Sequence, residues 1–384
     1  MDTKVYKISE IGEVVGGGTP STEHEEYWNG DIPWVSPKDL TGYNNVYISH
    51  GENFITQKGL NKSGTKLLPQ NTVLFSSRAP IGYIALAANP ICTNQGFKSI
   101  VCNEKLVSPL YLYYYIKSNL NYIKLFGSGA TFPEISGSSM KKIKINIFTD
   151  LIYQRRIASI LSAYDNLIDN NNRRIRLLEQ MAENLYKEWF VRFRFPGYEN
   201  AAFENGLPKG WKRAPLKTIC EFERGKNITA SEMVSGNIPV ISAGISSSGT
   251  HNNSNVQGTS VTVSSSGANA GFISIHYEDI WAADCSYISE KSTKYIYYVY
   301  EVLNNMRAIV DNLQRGAAQP HVYPKDLNRI TIIVPDEINQ DRANKKFSQL
   351  HQLKARLLQQ NEHLSRQRDL LLPRLMSGKL EVKV

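Results

Sequence analysis

Residues 154–193 read QRRIASILSAYDNLIDNNNRRIRLLEQMAENLYKEWFVRF, and the spacing inside this stretch decides the architecture. Ile157, Leu161, Tyr164, Ile168, Asn171, Ile175, Leu178, Ala182, Leu185 and Trp189 recur alternately four and three residues apart. That alternation keeps one stripe of side chains on the same side of a slightly underwound helix, so it predicts a long helix with a coiled-coil seam. One seam position is polar. A buried Asn171 costs stability but fixes register, because a slipped partner leaves its amide unsatisfied. The competing reading of Asn170-Asn171-Asn172 is a local helix break or a solvated loop.

A second stretch repeats the pattern more loosely. Leu350, Leu353, Leu357, Leu364 and Leu371 keep the spacing if the polar Gln360 and Gln367 fill two further seam positions. Lys354, Asn361 and Arg368 stand where seam residues of the first helix align, which leaves the register of a pair open. At 1.5 Å per residue, helices of about 30 to 40 residues are roughly 45 to 60 Å long. Two apolar stripes that cannot stay wet pair most simply with each other.

What lies between the helices repeats as well. Residues 127–148, GSGATFPEISGSSMKKIKINIF, align with residues 314–335, QRGAAQPHVYPKDLNRITIIVP, matching Gly129 with Gly316, Pro133 with Pro320 and Ile145 with Ile332. VLFSSRAPIGYIAL from Val73 is similar to VTVSSSGANAGFISI from Val261, and DIPWVS from Asp31 to NIPVIS from Asn237. Each half runs from short apolar segments with Gly, Ser and Asn punctuation, through a Tyr-rich segment predicted helical (Leu110 to Leu120; Tyr295 to Met306), to a Gly-Ala-Pro loop and a closing strand. The expectation is an α+β chain. Two similar mixed α/β domains, residues 1–150 and 196–336, alternate with helical spacers at 151–195 and 337–384. Antiparallel pairing of the spacers gives a pseudo-twofold dumbbell. Pro196 to Trp211, PGYENAAFENGLPKGW, reads as the linker into the second domain.

A chain of 384 residues accommodates two such cores, and 41% apolar with 21% charged residues excludes disorder and fibrous structure. The net charge of +9 favours a polyanionic partner without establishing one. Cys92, Cys102, Cys220 and Cys285 form no C-x-x-C pair and read as scattered reduced thiols. The opening MDTKVYKISE lacks the order of a signal peptide, and no apolar run approaches the ~18 residues of a membrane span. A cytoplasmic protein without a membrane partner is expected.

Catalytic signatures are missing. Neither H-E-x-x-H, nor G-x-x-x-x-G-K-[ST], nor G-x-S-x-G occurs. Gly16-Gly17-Gly18-Thr19 has no following Lys and reads as a turn or bulge. Phe126-Gly127-Ser128-Gly129 and Asn89-Pro90-Ile91 only approach the motifs an adenine methyltransferase needs. Asp336, Glu337 and Asp341 open the second helix, where its dipole favours carboxylates. No catalytic or metal-binding residue is expected.

Polar and basic residues instead collect on Gly/Ser/Pro loops: Lys38, Arg78, Asn94, Gln95, Lys98 and Thr131 in the first half, and Arg224, Lys226, Asn227, Ser266, Asn269, Arg315, Gln319 and His321 in the second. Arg and Lys suit guanine and phosphate, and Asn and Gln suit adenine, so this set fits double-stranded DNA.

The stretch Gln154 to Phe193, GLPKGW from Gly206 to Trp211, and LLPRLMSGKLEV from Leu371 to Val382 resemble the specificity subunits of type I restriction-modification systems. The likeness covers essentially the whole chain. It implies that two target-recognition domains each read half of a bipartite asymmetric DNA site, while the helices set the gap and dock methyltransferase subunits. It implies two adenine methyltransferase and two motor-endonuclease partners, which use S-adenosylmethionine, ATP and Mg, with no cofactor on this chain. The alternatives are a protein-binding adaptor and a cryptic stand-alone nuclease or methyltransferase.

Overall fold

In a computed structural model, which describes residues 2–78, 80–129, 133–316 and 320–383, the sequence repeat becomes a repeat of topology. The chain divides into two units, one formed by Met1–Asn171 with Gln360–Val384 and the other by Asn172–Gln359. Four helices organise them: α1 (Pro109–Ser118), α2 (Leu151–Tyr186), α3 (Ile296–Asn305) and α4 (Glu337–Met376).

In the first unit, Gly12–Gly16, Lys98–Cys102, Val73–Phe75, Ile84–Ala87 and Tyr47–Ile48 lie side by side in one sheet. In the second, Glu223–Arg224, Cys285–Ser289, Ser260–Ser264 and Ile273–His276 follow the same order. Each unit adds a three-stranded sheet around the I-P strand, Trp28–Val35 or Ile238–Ile241. Each is closed by a two-stranded ladder, Thr3–Lys7 with Lys144–Phe148 and Lys212–Pro215 with Thr331–Val334. In Lys144–Phe148 the side chains of Ile145 and Ile147 point into the core and those of Lys144 and Asn146 outward, as the two-residue period of a strand requires.

The tyrosine-rich runs become α1 and α3. Pro109 opens α1, where a missing N–H costs nothing. Tyr111 and Tyr114 are fully buried and share the first core with Phe75, Ile100 and Ile157. Tyr298 holds the matching position in α3 and donates its hydroxyl to Ile333 O at 2.6 Å, which lets a phenol sit in an apolar interior.

α2 runs unbroken through Asn170-Asn171-Asn172. The helix survives there because the Asn171 side chain is buried and its Nδ2 donates to Asn361 Oδ1 at 2.9 Å and Gln360 Oε1 at 3.1 Å. The seam residues of α2 are all buried or half-buried. Tyr153, Ile157 and Leu161 enter the first core with Leu372, Leu375 and Met376 of α4. Ala182, Tyr186 and Trp189 enter the second core with Ala343 and Phe347.

The seam of α4 differs from the expected one. Leu350, Leu357, Leu364 and Leu371 face inward, but Leu353 is 44% exposed and Gln360 and Gln367 are exposed. The intervening positions are Lys354, Asn361 and Arg368. In the first unit Arg368 Nη1 meets Asp165 Oδ1 at 2.5 Å, and in the second Lys354 Nζ meets Glu179 Oε1 at 2.7 Å. Polar side chains occupy the seam because each finds a partner on α2, the condition under which a charge can be buried. In the first unit Asp165 faces Arg368 and Asn171 faces Asn361, so one number rises as the other falls and the pairing is antiparallel.

The segment from Pro196 to Trp211 is largely exposed but is anchored at its C-terminal end. Phe203–Glu204 and Leu207–Pro208 form a hairpin across Asn205 and Gly206, both at positive φ, the backbone a tight two-residue turn demands. Leu207 and Trp211 are buried, and Trp211 Nε1 donates to Asp336 Oδ2 at 2.9 Å.

Candidate nucleic-acid interface

In the first unit, loops from four chain segments meet at one end of the adjacent strands Gly12–Gly16, Lys98–Cys102 and Val73–Phe75. Ser77 N donates to Gly96 O at 2.7 Å, Ile135 N to Ser77 O at 3.0 Å, Gly18 N to Thr93 O at 2.9 Å and Asn94 N to Val35 O at 2.9 Å. Gly17 crosses so close that a Cβ there would stand 1.9 Å from Asn94 O. Gly17 is thus a steric requirement of this crossing, Gly18 is hemmed in by Gly64 and Thr65, and Gly16 has open space around it.

The same crossing is rebuilt in the second unit. Ser265 N donates to Asp284 O at 3.2 Å, Val322 N to Ser265 O at 3.0 Å and Lys226 N to Ala282 O at 2.9 Å. Gly225 takes the place of Gly17, its Cβ position 2.3 Å from Ala283 O. Even the tryptophan is retained, from the opposite strand. Trp34 Nε1 donates to Gly18 O at 2.9 Å and Trp281 Nε1 to Lys226 O at 2.8 Å, although Trp34 pairs with Cys92 and Trp281 with Val240 in corresponding parallel ladders.

These crossings carry the loop residues singled out from the sequence. In the first unit Arg78, Asn94, Gln95 and Lys98 come together. Lys98 Nζ lies 3.3 Å from Glu134 Oε1, and Arg78 Nη1 lies 3.6 Å from Glu134 Oε2. Lys98 Nζ also donates to Gln95 O at 3.3 Å, and Thr19 Oγ1 donates to Gln95 Oε1. Half-buried Asn94 accepts from Gly96 N through its Oδ1 at 2.8 Å. Lys38 sits on the neighbouring turn Pro37–Leu40, 3.0 Å from Glu52, whose hydrogen bond holds the ammonium pKa above its usual value. Thr131 lies outside the described residues.

In the second unit Arg224 Nη2 donates to Asp284 Oδ1 at 2.9 Å, and Ser266 Oγ donates to Asp284 Oδ2. Lys226 and Asn227 are exposed on the same loop. Arg315 and His321 exchange backbone hydrogen bonds at 2.9 Å across the base of a loop, and Ser128 and Glu134 do the same in the first unit. Arg315 Nη2 reaches Asp326 Oδ1 at 2.7 Å, His321 stacks on Tyr323, and half-buried Asn269 lies on the Gly267–Asn269 turn. Gln319 lies outside the described residues.

Reading the sequence for donors missed the carboxylates Glu134, Asp284 and Asp326. Aligning residues 127–148 with 314–335 puts Glu134 opposite His321, a change of charge at one loop position that was open to inspection.

The remaining chemistry is structural. Burial pushes the Cys92 thiol up to about 11 and those of Cys102, Cys220 and Cys285 up to about 12, so they stay protonated and are poor nucleophiles. Burial works to raise the Asp336 carboxyl, but hydrogen bonds from Asn339 and Trp211 outweigh it and hold the pKa below its usual value. Asp336 caps α4, while Glu337 and Asp341 pair with Lys294. Among the described residues no group of three or more His, Cys, Asp or Glu could hold a metal ion, and no helix is long and apolar enough to cross a membrane.

Comparison with known proteins agrees with this arrangement. The profile of the type I restriction modification DNA specificity domain matches residues 1–180 and again residues 208–363. The specificity subunit of the type I restriction enzyme MjaIX of Methanocaldococcus jannaschii is 34% identical over 413 residues, covering 100% of this chain and 94% of that protein. The EcoR124I/EcoR124II specificity subunit of Escherichia coli is 31% identical over 206 residues, covering 51% of this chain and 49% of that protein. The crystal structure of a type I S subunit from M. genitalium superposes with a TM-score of 0.68 at 18% identity, covering 100% of this chain and 97% of that one, and so shares the fold. With two copies of the loop crossing and the domain profile matched twice, the chain belongs to the DNA specificity subunits of type I restriction-modification systems, the non-catalytic members of those complexes.

Proposed function

We propose that each unit reads one half of a bipartite, asymmetric site in double-stranded DNA and that α2 and α4 set the gap between the halves. The observation that carries this is the loop crossing built twice with different side chains. The first copy offers Arg78, Asn94, Gln95 and Lys98, and the second offers Arg224, Lys226, Asn227 and Ser266. One scaffold with two different sets of donors favours two different half-sites, because bases are told apart by the pattern of donors and acceptors presented to them. Two adenine methyltransferase subunits dock on the helices, two motor-endonuclease subunits complete the assembly, and these partners bring S-adenosylmethionine, ATP and Mg. The working compartment is the cytoplasm.

Single substitutions test the assignment. Arg78→Ala weakens or relaxes one half-site and Arg224→Ala the other, each by ~1–3 kcal/mol if the lost contact is a bidentate one to guanine. The readout is binding of the assembled complex to duplexes scrambled in one half at a time. If both variants affect the same half, the two units are not separate readers.

A further inference from the structure

Arg78 and Lys98 at the first crossing and Arg224 at the second are held by carboxylates, and the carboxylates come from positions that do not correspond. Glu134, on the loop before Ile135, lies between Arg78 and Lys98. His321 takes its place in the second unit, where Asp284 instead holds Arg224 and Ser266; Asp284 matches Gly96 of the first unit, since each carbonyl accepts the hydrogen bond of the corresponding serine, Ser265 or Ser77. Duplication alone would have placed the acid at one equivalent position. Two unrelated placements with the same outcome indicate that the outcome itself, a cation held by a carboxylate, is what matters.

These pairs are partly exposed, and ion pairs at a surface contribute only about 0–1 kcal/mol to folding, so stability is a weak reason for them. Their effect on binding is larger. An unpaired Arg or Lys grips any phosphate, and each phosphate neutralised steepens the salt dependence by about 0.9 regardless of sequence. A cation already paired gains little from a random phosphate and more from a base edge that offers two acceptors in its plane. We infer that Glu134 and Asp284 are specificity-determining residues that suppress non-specific DNA binding by holding Arg78, Lys98 and Arg224 until a matching half-site displaces them. This inference rests on the reading of the two units as DNA readers. It adds a repulsive element to that reading, the usual second component of discrimination.

Glu134→Gln and Asp284→Asn remove the charge and keep the shape. The full chain with its partner subunits is measured against a duplex bearing the target site, duplexes with either half scrambled, and a random duplex of equal length, across a range of salt. For Glu134→Gln, affinity for the random duplex is expected to rise roughly fivefold with a salt slope steeper by about one, while affinity for the target changes less than twofold. Discrimination against a scrambled half falls for one half only, and Asp284→Asn lowers it for the other. Unchanged random-duplex affinity overturns the inference. So does a loss of target affinity alone, which would make these carboxylates direct readers of cytosine. If the unsubstituted chain prefers neither target nor half-site over random DNA, the underlying DNA-reader assignment fails instead.

Discussion

Asp165 of α2 and Arg368 of α4, 203 residues apart in sequence, meet at 2.5 Å inside the first unit, and Tyr114 of α1 donates its hydroxyl to the second oxygen of the same carboxylate at 2.5 Å. Burial, with Asp165 beside it, drives the Tyr114 phenol far above its usual pKa, so it remains a donor. Burial also works against the charge on Arg368, but Asp165 and Asp369 outweigh it and keep the guanidinium charged. Three elements thus share one buried polar lock.

Removing half of that lock leaves a buried charge. Arg368→Ala is expected to destabilise the first unit by about 3 kcal/mol, whereas Asp165→Leu combined with Arg368→Leu recovers most of the loss, since an apolar pair replaces a buried ion pair at little cost. Denaturant unfolding of the three proteins measures both. A loss below about 1 kcal/mol for Arg368→Ala would show that the pair is effectively solvated.

The second unit carries a pH-sensitive group. Burial lowers the His276 pKa to about 4, and Thr262 Oγ1 lies 2.9 Å from its Nε2. The unfolded chain therefore takes up a proton near pH 6.5 that the folded chain refuses until about pH 4. The contribution is intact above pH 6.5 and is lost progressively as pH falls to 4, by up to about 3 kcal/mol. Unfolding free energies across that range, compared with those of His276→Gln, isolate it. The wild type should decline more steeply than the variant, and parallel curves would rule the effect out.

The helices are expected to act as a ruler. One heptad inserted next to Asn171 in α2 and one next to Asn361 in α4 keep both seams in phase while adding ~10 Å to each helix. The half-sites should stay the same and the unread gap should grow by at most ~3 base pairs of B-form rise. Methylated adenines mapped in a host carrying the complex give the answer. An unchanged gap in a complex that still methylates would refute the ruler.

How much of this was legible beforehand depended on whether a feature belongs to one segment or to two. The α2 seam is written in its own apolar spacing and needs no partner to be seen. The α4 seam is not, because Lys354, Asn361 and Arg368 qualify as seam residues only through Glu179, Asn171 and Asp165, and single-helix hydrophobicity selects Leu353 instead. The paired units and their Tyr-rich helices were visible because the repeat preserves order. Comparison of the halves also gathered Arg78, Asn94, Gln95 and Lys98 onto corresponding loops; it shows Glu134 only as a change of charge against His321, and Asp284 has no acidic counterpart in the first half. The Pro196 to Trp211 segment read as a linker by composition, and its packing through Leu207 and Trp211 depends on distant residues such as Asp336.

Exchange of residues 1–150 for the matching domain of another specificity subunit, followed by mapping of methylated adenines in the host, tests the central claim most directly. Two independent readers on one scaffold require that one half of the mapped site be replaced while the other half and the gap persist. If both halves change together, or the site does not change at all in a complex that still methylates, the two units do not read DNA separately.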